Sequence, residues 1–107
     1  MTSYTPENII LRRNAVTALR FAMDPELGIN IVDMGLIYGL ETNEASKSIV
    51  VTMSLSSRGC PMGAAISGSA ENVLIYGFPD YKVKIDLIWE PAWSYEFISA
   101  RGRDELS

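Results

Sequence analysis

The chain has 107 residues, a formal net charge of −4 at pH 7 and 48% hydrophobic residues. This length predicts one domain, residues 1–107, with a single modest core. The acidic balance and the lack of any run of Lys or Arg argue against nucleic acid or an anionic membrane as the main partner. No apolar run reaches the length of a membrane span, and one cysteine cannot close an intramolecular disulfide, so we expect a cytoplasmic protein.

The sequence contains no histidine and one cysteine, which restricts its chemistry. Catalytic pairs that join histidine to serine or cysteine are excluded within one chain. A closed zinc site of Cys and His ligands is excluded too, because it needs four ligands. A metal bound through Cys60 would take its other ligands from carboxylates, a second subunit, a small thiol or a partner protein.

A helix is predicted at the start of the chain, from Thr5 to Met23. Thr5 has the chemistry of an N-cap, and a proline at the next position suits the first turn, where its missing N–H costs nothing. Apolar side chains recur on one arc of this segment, as in a helix that covers a core. Asp24-Pro25 ends the helix, because the residue before a proline is disfavoured in the helical region.

The loop that follows, residues 24–35, carries three carboxylates and two glycines. In one interpretation Asp24 and Glu26, with Asp33 as a third member, form the wall of a ligand or metal site. In the other they are solvated residues of ordinary turns, since Asp, Pro and Gly are common turn residues. Composition alone favours the second interpretation.

Alternating apolar residues predict three strands. The first covers Leu36–Glu41, in which Gly39 weakens the strand or marks a bulge. The second runs through residues 49–55 after a polar hairpin connection. The third covers Lys82–Trp89, with its charged residues outward and four apolar residues inward. These inward residues are Val83, Ile85, Leu87 and Trp89.

A second helix is predicted between the last two strands, from about Pro61 to Tyr76, and two short helices capped by Ser94 and Ser99 follow. The order α-β-β-α-β plus short C-terminal helices indicates an α+β fold. We expect a two-layer α/β sandwich, in which helices cover one face of a three-stranded mixed sheet. The third strand is expected beside the first.

The single cysteine, Cys60, lies in the predicted turn from the second strand into the second helix. Gly59 permits a tight turn and Pro61 suits the first helical position, so Cys60 is expected at or next to the N-cap. The positive end of the helix dipole and the charge of Arg58 would favour the thiolate there. These conditions indicate a reactive or metal-binding thiolate. The alternative is a buried cysteine that acts as a small hydrophobic residue.

Three stretches of the sequence carry distinctive motifs: DPELGINIVDMGLIY over Asp24–Tyr38, GCPM over Gly59–Met62 and WEPAWS over Trp89–Ser94. In this order they resemble the signatures of the SufT/PaaD-like family of iron–sulfur cluster assembly domains, formerly a domain of unknown function. Arg58 stands where the family usually has a small residue or proline. Ala92 stands where it has a second proline.

The resemblance implies the same α+β fold and a role in the maturation of iron–sulfur proteins. It also implies a site made by the loop of Asp24 and Glu26, the hydroxyls of Ser56 and Ser57, and Cys60. Arg58, which departs from the family pattern, is expected beside the thiol as a supporting residue because of its positive charge. In this site Cys60 would be one ligand of a transient iron ion or iron–sulfur cluster, with no tightly bound cofactor. The implied partners are the iron–sulfur assembly machinery and apoprotein targets, and a homodimer is one way to complete the ligands.

The expected function is that of a non-catalytic assembly factor, either a carrier of clusters or an adaptor in their delivery. One cysteine is too few for a four-thiolate cluster, so either two subunits share a cluster or none is held stably. Two alternatives remain. A thiol-dependent enzyme would use Cys60 as nucleophile, although no histidine or second cysteine is present to activate or resolve it. A protein–protein interaction module would use the surface near Trp93 without metal chemistry.

Overall fold

The computed structural model describes residues 6–56 and 63–106. Its helices and strands are α1 (Pro6–Leu19), β1 (Met23–Asp24), β2 (Ile29–Asn30), β3 (Ile37–Asn43), β4 (Ser48–Met53), α2 (Gly63–Gly77), β5 (Lys82–Leu87), a 3-10 helix (Tyr95–Phe97) and α3 (Ala100–Leu106). The predicted α+β class and mixed three-stranded sheet are confirmed. No helix in these two ranges is both long and apolar enough to cross a bilayer.

The three-stranded sheet has the order β3-β4-β5, with an antiparallel β3–β4 pair and a parallel β4–β5 pair. The expectation that the last strand lies beside the first strand of the hairpin is therefore wrong. Val51 of β4 pairs with Ile85 of β5. The connection through α2 returns the chain to the free edge of the strand it has just left, as in other β-α-β units. In β3, Gly39 marks a bulge, because the pairing with β4 shifts register between Ile37 and Gly39.

A second, two-stranded sheet lies in the stretch predicted as a loop. In this antiparallel hairpin, Met23 of β1 pairs with Asn30 of β2. The pairing also explains why α1 ends at Leu19, about one turn before the predicted end at Met23. The carbonyl of Ala22 accepts a hydrogen bond from the N–H of Ile31 at 2.9 Å, so the chain has already left the helix. The predicted N-cap, Thr5, lies outside the described residues.

The core lies between the sheet and the two long helices. The helix α1 packs against β3, α2 packs against β5, and the two helices contact each other, so both lie on one face of the sheet as predicted. The alternation predicted for the central strand is confirmed, since the inward residues of β4 are fully buried. They are Ile49, Val51 and Met53. The prediction for Leu87 is wrong: it is 41% exposed, because it ends an edge strand that has a single neighbour.

Both predicted serine caps are present at the C-terminal helices. The hydroxyl of Ser94 accepts the N–H of Glu96 at 3.3 Å at the start of the 3-10 helix. The hydroxyl of Ser99 accepts the N–H of Gly102 at 3.1 Å at the start of α3. Each serine satisfies a backbone donor that the first turn of a helix leaves unpaired.

Candidate functional site

The central residue of the predicted site, Cys60, lies outside the described residues together with Ser57, Arg58 and the adjoining Gly59 and Pro61. The expected position of the cysteine at the N-cap of the second helix therefore stays a prediction.

The described residues on either side of this segment lie close together. Ser56 is half-buried, and α2 begins at Gly63. A Cβ atom on Gly63 would stand 2.8 Å from Cδ1 of Leu55, a buried residue between the end of β4 and Ser56. Glycine at the start of α2 thus allows the helix to approach the chain that leaves β4. The flanks of the predicted thiol site are held together by core packing.

Asp24, the first predicted carboxylate of the site, is buried, with 1% of its surface exposed. Its Oδ1 atom accepts the N–H of Glu26 at 2.8 Å and the N–H of Leu27 at 3.3 Å. Its carbonyl accepts the N–H of Gly28 at 2.8 Å. These contacts are typical of an aspartate whose side chain stabilises a turn. The turn interpretation therefore explains the role of Oδ1, one of the two carboxylate oxygens.

Glu26, the second predicted carboxylate, has an exposed side chain in the turn that Asp24 builds. It lies between Asp24, which ends β1, and Ile29, which begins β2. The helix α2 contacts β1, so the acidic turn and the helix that begins at Gly63 belong to neighbouring parts of the fold. The sequence did not predict this proximity, because it arises from the packing of α2 against β1.

Three backbone hydrogen bonds tie the acidic hairpin to the end of β4. The N–H of Ile31 donates to Ala22 at 2.9 Å, and the N–H of Leu36 donates to Ile31 at 3.2 Å. The N–H of Ser54 then donates to Leu36 at 2.9 Å. Ser54 is buried and stands two positions before Ser56. The acidic hairpin and Ser54, which are far apart in sequence, are thus joined by a continuous set of backbone contacts.

Asp33, the third carboxylate of the loop, has structural partners. Its Oδ2 accepts Nδ2 of Asn30 at 2.7 Å, its Oδ1 accepts Oγ of Ser99 at 2.9 Å, and Arg20 lies 3.8 Å from Oδ2. Burial raises the pKa of Asp33, but the hydrogen bonds from Asn30 and Ser99 and the charges of Arg20 and Arg101 outweigh burial and hold the pKa below its usual value. Asp33 is therefore an ionised hydrogen-bond acceptor that connects its loop to Ser99, at the start of α3, and to Arg20, just after α1.

An apolar groove between α1 and α2 was missed by the sequence reasoning. Its volume is about 850 Å³, and Ala18 and Val73 contribute to its lining. Phe21 and Tyr76 border it with side chains that are 77% and 91% exposed. The sequence offers one signal for this groove, the small residues Ala65, Gly68 and Ser69 in α2, which leave room beside the helix.

No group of three or more His, Cys, Asp or Glu side chains is placed to hold a metal ion within residues 6–56 and 63–106. The two tryptophans of the third motif, Trp89 and Trp93, are half-buried and pack against the core. Nε1 of Trp93 donates to the carbonyl of Met34 at 2.7 Å. This contact fixes the third motif against the end of the first one.

Comparison with known proteins gives concordant matches. The sequence model of a family described as "Iron-sulfur cluster assembly protein" matches residues 12–87. The Fe-S protein maturation auxiliary factor YitW of Bacillus subtilis is 33% identical over 97 residues, which cover 90% of this chain and 93% of YitW. The Fe-S protein maturation auxiliary factor SufT of Staphylococcus aureus is 35% identical over 84 residues, 78% of this chain and 94% of SufT.

The fold has a solved counterpart in a domain of unknown function, DUF59, from Bacillus anthracis. The two structures align with a TM-score of 0.87 at 31% sequence identity, over 94% of each chain. The predicted resemblance to the SufT/PaaD-like family is thereby confirmed.

Proposed function

This chain belongs to the iron–sulfur cluster assembly protein family, and we propose that it assists the delivery of iron–sulfur clusters to apoproteins as a non-catalytic factor. The names of its relatives as maturation auxiliary factors support this proposal. Its partners would be the assembly machinery and the apoproteins, and the cluster or iron ion would be cargo, without a tightly bound cofactor. The cytoplasm is the expected compartment.

In this proposal Cys60 acts as a thiolate that contacts the cargo. A thiolate is a soft ligand suited to iron in clusters, and it must be deprotonated to bind. Ser56 and Ser57 would offer hydroxyls beside it, and Arg58 would favour the thiolate by its charge. One thiolate cannot hold a four-ligand cluster alone, so the cargo would be shared with a second copy of the chain or with a partner protein.

The single observation that best supports this site is the set of backbone hydrogen bonds from Ala22 through Ile31 and Leu36 to Ser54. It anchors the acidic hairpin to the chain that leads into the cysteine segment. Asp24 uses Oδ1 to build its turn, and we therefore assign it a positioning role. Glu26, with its exposed side chain, is the carboxylate that we propose as a hard oxygen ligand or as a group that orients the thiol.

Maturation in cells tests the function. Cells that lack this protein would be supplied with the wild type, Cys60→Ser or the control Ser46→Ala, which changes an exposed hairpin residue. We expect the activity of a client iron–sulfur enzyme to be restored by the wild type and the control but not by Cys60→Ser, at equal protein levels. Full restoration by Cys60→Ser would refute a role for the thiol.

Anaerobic reconstitution with iron and sulfide separates a carrier from an adaptor. A chromophore that elutes with a dimer of the wild type and is absent from Cys60→Ser would indicate a carrier with a shared cluster. Colourless monomers of both proteins would indicate an adaptor. A turnover assay with thiol and peroxide substrates addresses the thiol-enzyme alternative, for which we expect no activity above that of Cys60→Ser.

A further inference from the structure

Four arginines, three from residues 12–20 and one from α3, line one concave surface, which we call the arginine surface. Its members are Arg12, Arg13, Val16, Thr17, Arg20 and Arg101, and its volume is about 460 Å³. The chain has nine Lys and Arg residues in total and a net charge of −4. Nearly half of its positive side chains therefore share one depression on an otherwise acidic protein.

The helices explain how the arginine surface forms. Arg13 lies in α1 and Arg20 directly follows it, with its N–H still bonded to the carbonyl of Val16 at 3.2 Å. The two arginines are separated by about two helical turns, about 10 Å along the axis, so they project from the same side. Arg101 comes from α3, which packs against β2. Arg20 forms an ion pair with the buried Asp33, with 3.8 Å between Nη1 and Oδ2, and this pair holds Arg20 at one end of the surface.

The charge of the arginine surface is only partly neutralised. None of its lining residues is a carboxylate. Arg12 and Arg13 have exposed side chains and form no ion pair with any carboxylate in the described part of the chain. Asp33 is the carboxylate that touches the surface, and its oxygens already accept hydrogen bonds from Asn30 and Ser99. Guanidinium groups are thus left available to an external anion.

We propose that the arginine surface binds a short acidic segment of a partner protein. A guanidinium group matches a carboxylate through two parallel hydrogen bonds, and a span of about 10 Å accommodates two or three carboxylates. The methyl groups of Val16 and Thr17 offer apolar contact for the stems of Glu side chains. Among the described residues, the surface includes no member of the acidic hairpin, and the proposal gives no role to Cys60, so it does not depend on the cargo site.

A short segment fits this molecule better than a long polyanion does. The negative charge of nucleic acid or of an anionic membrane extends over an area much larger than this depression. None of the protein's 13 Asp and Glu residues lines the surface, and these carboxylates elsewhere on the protein would repel such a partner. A short peptide needs to contact only the guanidinium groups of this one depression, above all those of Arg12 and Arg13, which form no ion pair in the described part of the chain.

Peptide binding tests the proposal. The probe is a fluorescein-labelled twelve-residue peptide of alternating Glu and Ala, compared with its Gln/Ala counterpart at low and physiological salt. We expect the double variant Arg12→Glu/Arg13→Glu to weaken binding of the Glu peptide by at least tenfold. Lys82→Glu/Lys84→Glu changes the net charge equally at exposed positions of β5, and it should weaken binding less than threefold.

Each other outcome overturns the proposal. Equal weakening by both double variants would mean that only the net charge matters. No binding of the Glu peptide up to millimolar concentration would remove the surface as an acidic-peptide site. Tighter, arginine-dependent binding of a twelve-nucleotide single-stranded DNA or of phosphatidylserine vesicles would assign the surface to nucleic acid or to membrane. Cys60→Ser should bind the peptide like the wild type, so failure here is distinguishable from failure of the cluster-delivery function.

Discussion

Ser99 donates its hydroxyl hydrogen to Oδ1 of Asp33 at 2.9 Å, across 66 positions of sequence. The backbone N–H of Ser99 also donates to the carbonyl of Asp33 at 2.8 Å. Two contacts from one serine thus fasten α3 to the loop that carries the first sequence motif. The same hydroxyl accepts the N–H of Gly102, so one side chain serves the cap and the tertiary contact together.

Replacing Ser99 should destabilise the protein more than replacing the other capping serine. Ser99→Ala loses the cap and leaves a buried carboxylate without one donor, which should lower the free energy of unfolding by about 2–3 kcal/mol. Ser94→Ala, the matched control, loses a cap that is solvent-exposed and should cost about 0.5–1 kcal/mol. Urea denaturation followed by circular dichroism measures both values. Equal losses would show that the contact with Asp33 adds nothing.

The stability of the protein should depend on the protonation of Asp33. Because the folded pKa lies below its ordinary value, the unfolded chain binds the proton first as the pH falls through about 4. The stabilisation by Asp33 is complete above that pH and is lost as the pH falls through the folded pKa. The free energy of unfolding should therefore fall more steeply below about pH 4 in the wild type than in Asp33→Asn. Parallel curves for the two proteins between pH 7 and 2.5 would contradict this.

Gly35 should tolerate no side chain, whereas Gly28 should tolerate one at modest cost. Both have positive φ, 77° and 70°. A Cβ on Gly35 would collide with the carbonyl oxygen of Phe97, whereas a Cβ on Gly28 would meet open space. Gly28→Ala should cost about 1 kcal/mol for the backbone conformation alone, and Gly35→Ala at least about 3 kcal/mol. Thermal unfolding of the two variants is the measurement, and a similar melting temperature for both would refute the collision.

Asp24 should stabilise the turn through the hydrogen bonds that its Oδ1 accepts, and its negative charge should not be required. Asp24→Asn keeps an oxygen that can accept the N–H groups of Glu26 and Leu27, so it should retain stability and client maturation. Asp24→Ala removes the acceptor and should cost about 1–3 kcal/mol, with reduced maturation. If Asp24→Asn folds like the wild type but abolishes maturation, the carboxylate charge itself serves the site.

The candidate site shows where sequence reasoning reached its limit. The family resemblance implies that the loop of Asp24 and the segment of Cys60 form one site, which stays a prediction. The structure shows that the acidic hairpin is connected to Ser54, just after β4, by backbone hydrogen bonds. The motifs did not separate a ligand role from a turn role for Asp24, because both use the same residue types. The arrangement of Asp33 with Ser99 depends on two residues whose sequence separation hides their contact.

Elements whose signals are local could be predicted from the order of residues alone. Alternation placed β4 and its buried face, and the serines before the last two helices marked their caps, because side-chain periodicity and capping act over a few neighbouring residues. The strand that β5 joins became clear only from the fold, since both edges of the hairpin offer equivalent unpaired backbone groups. The fold also gathered Arg101 with the arginines of α1, because packing of α3 brings distant charges together without any signal in the order of residues.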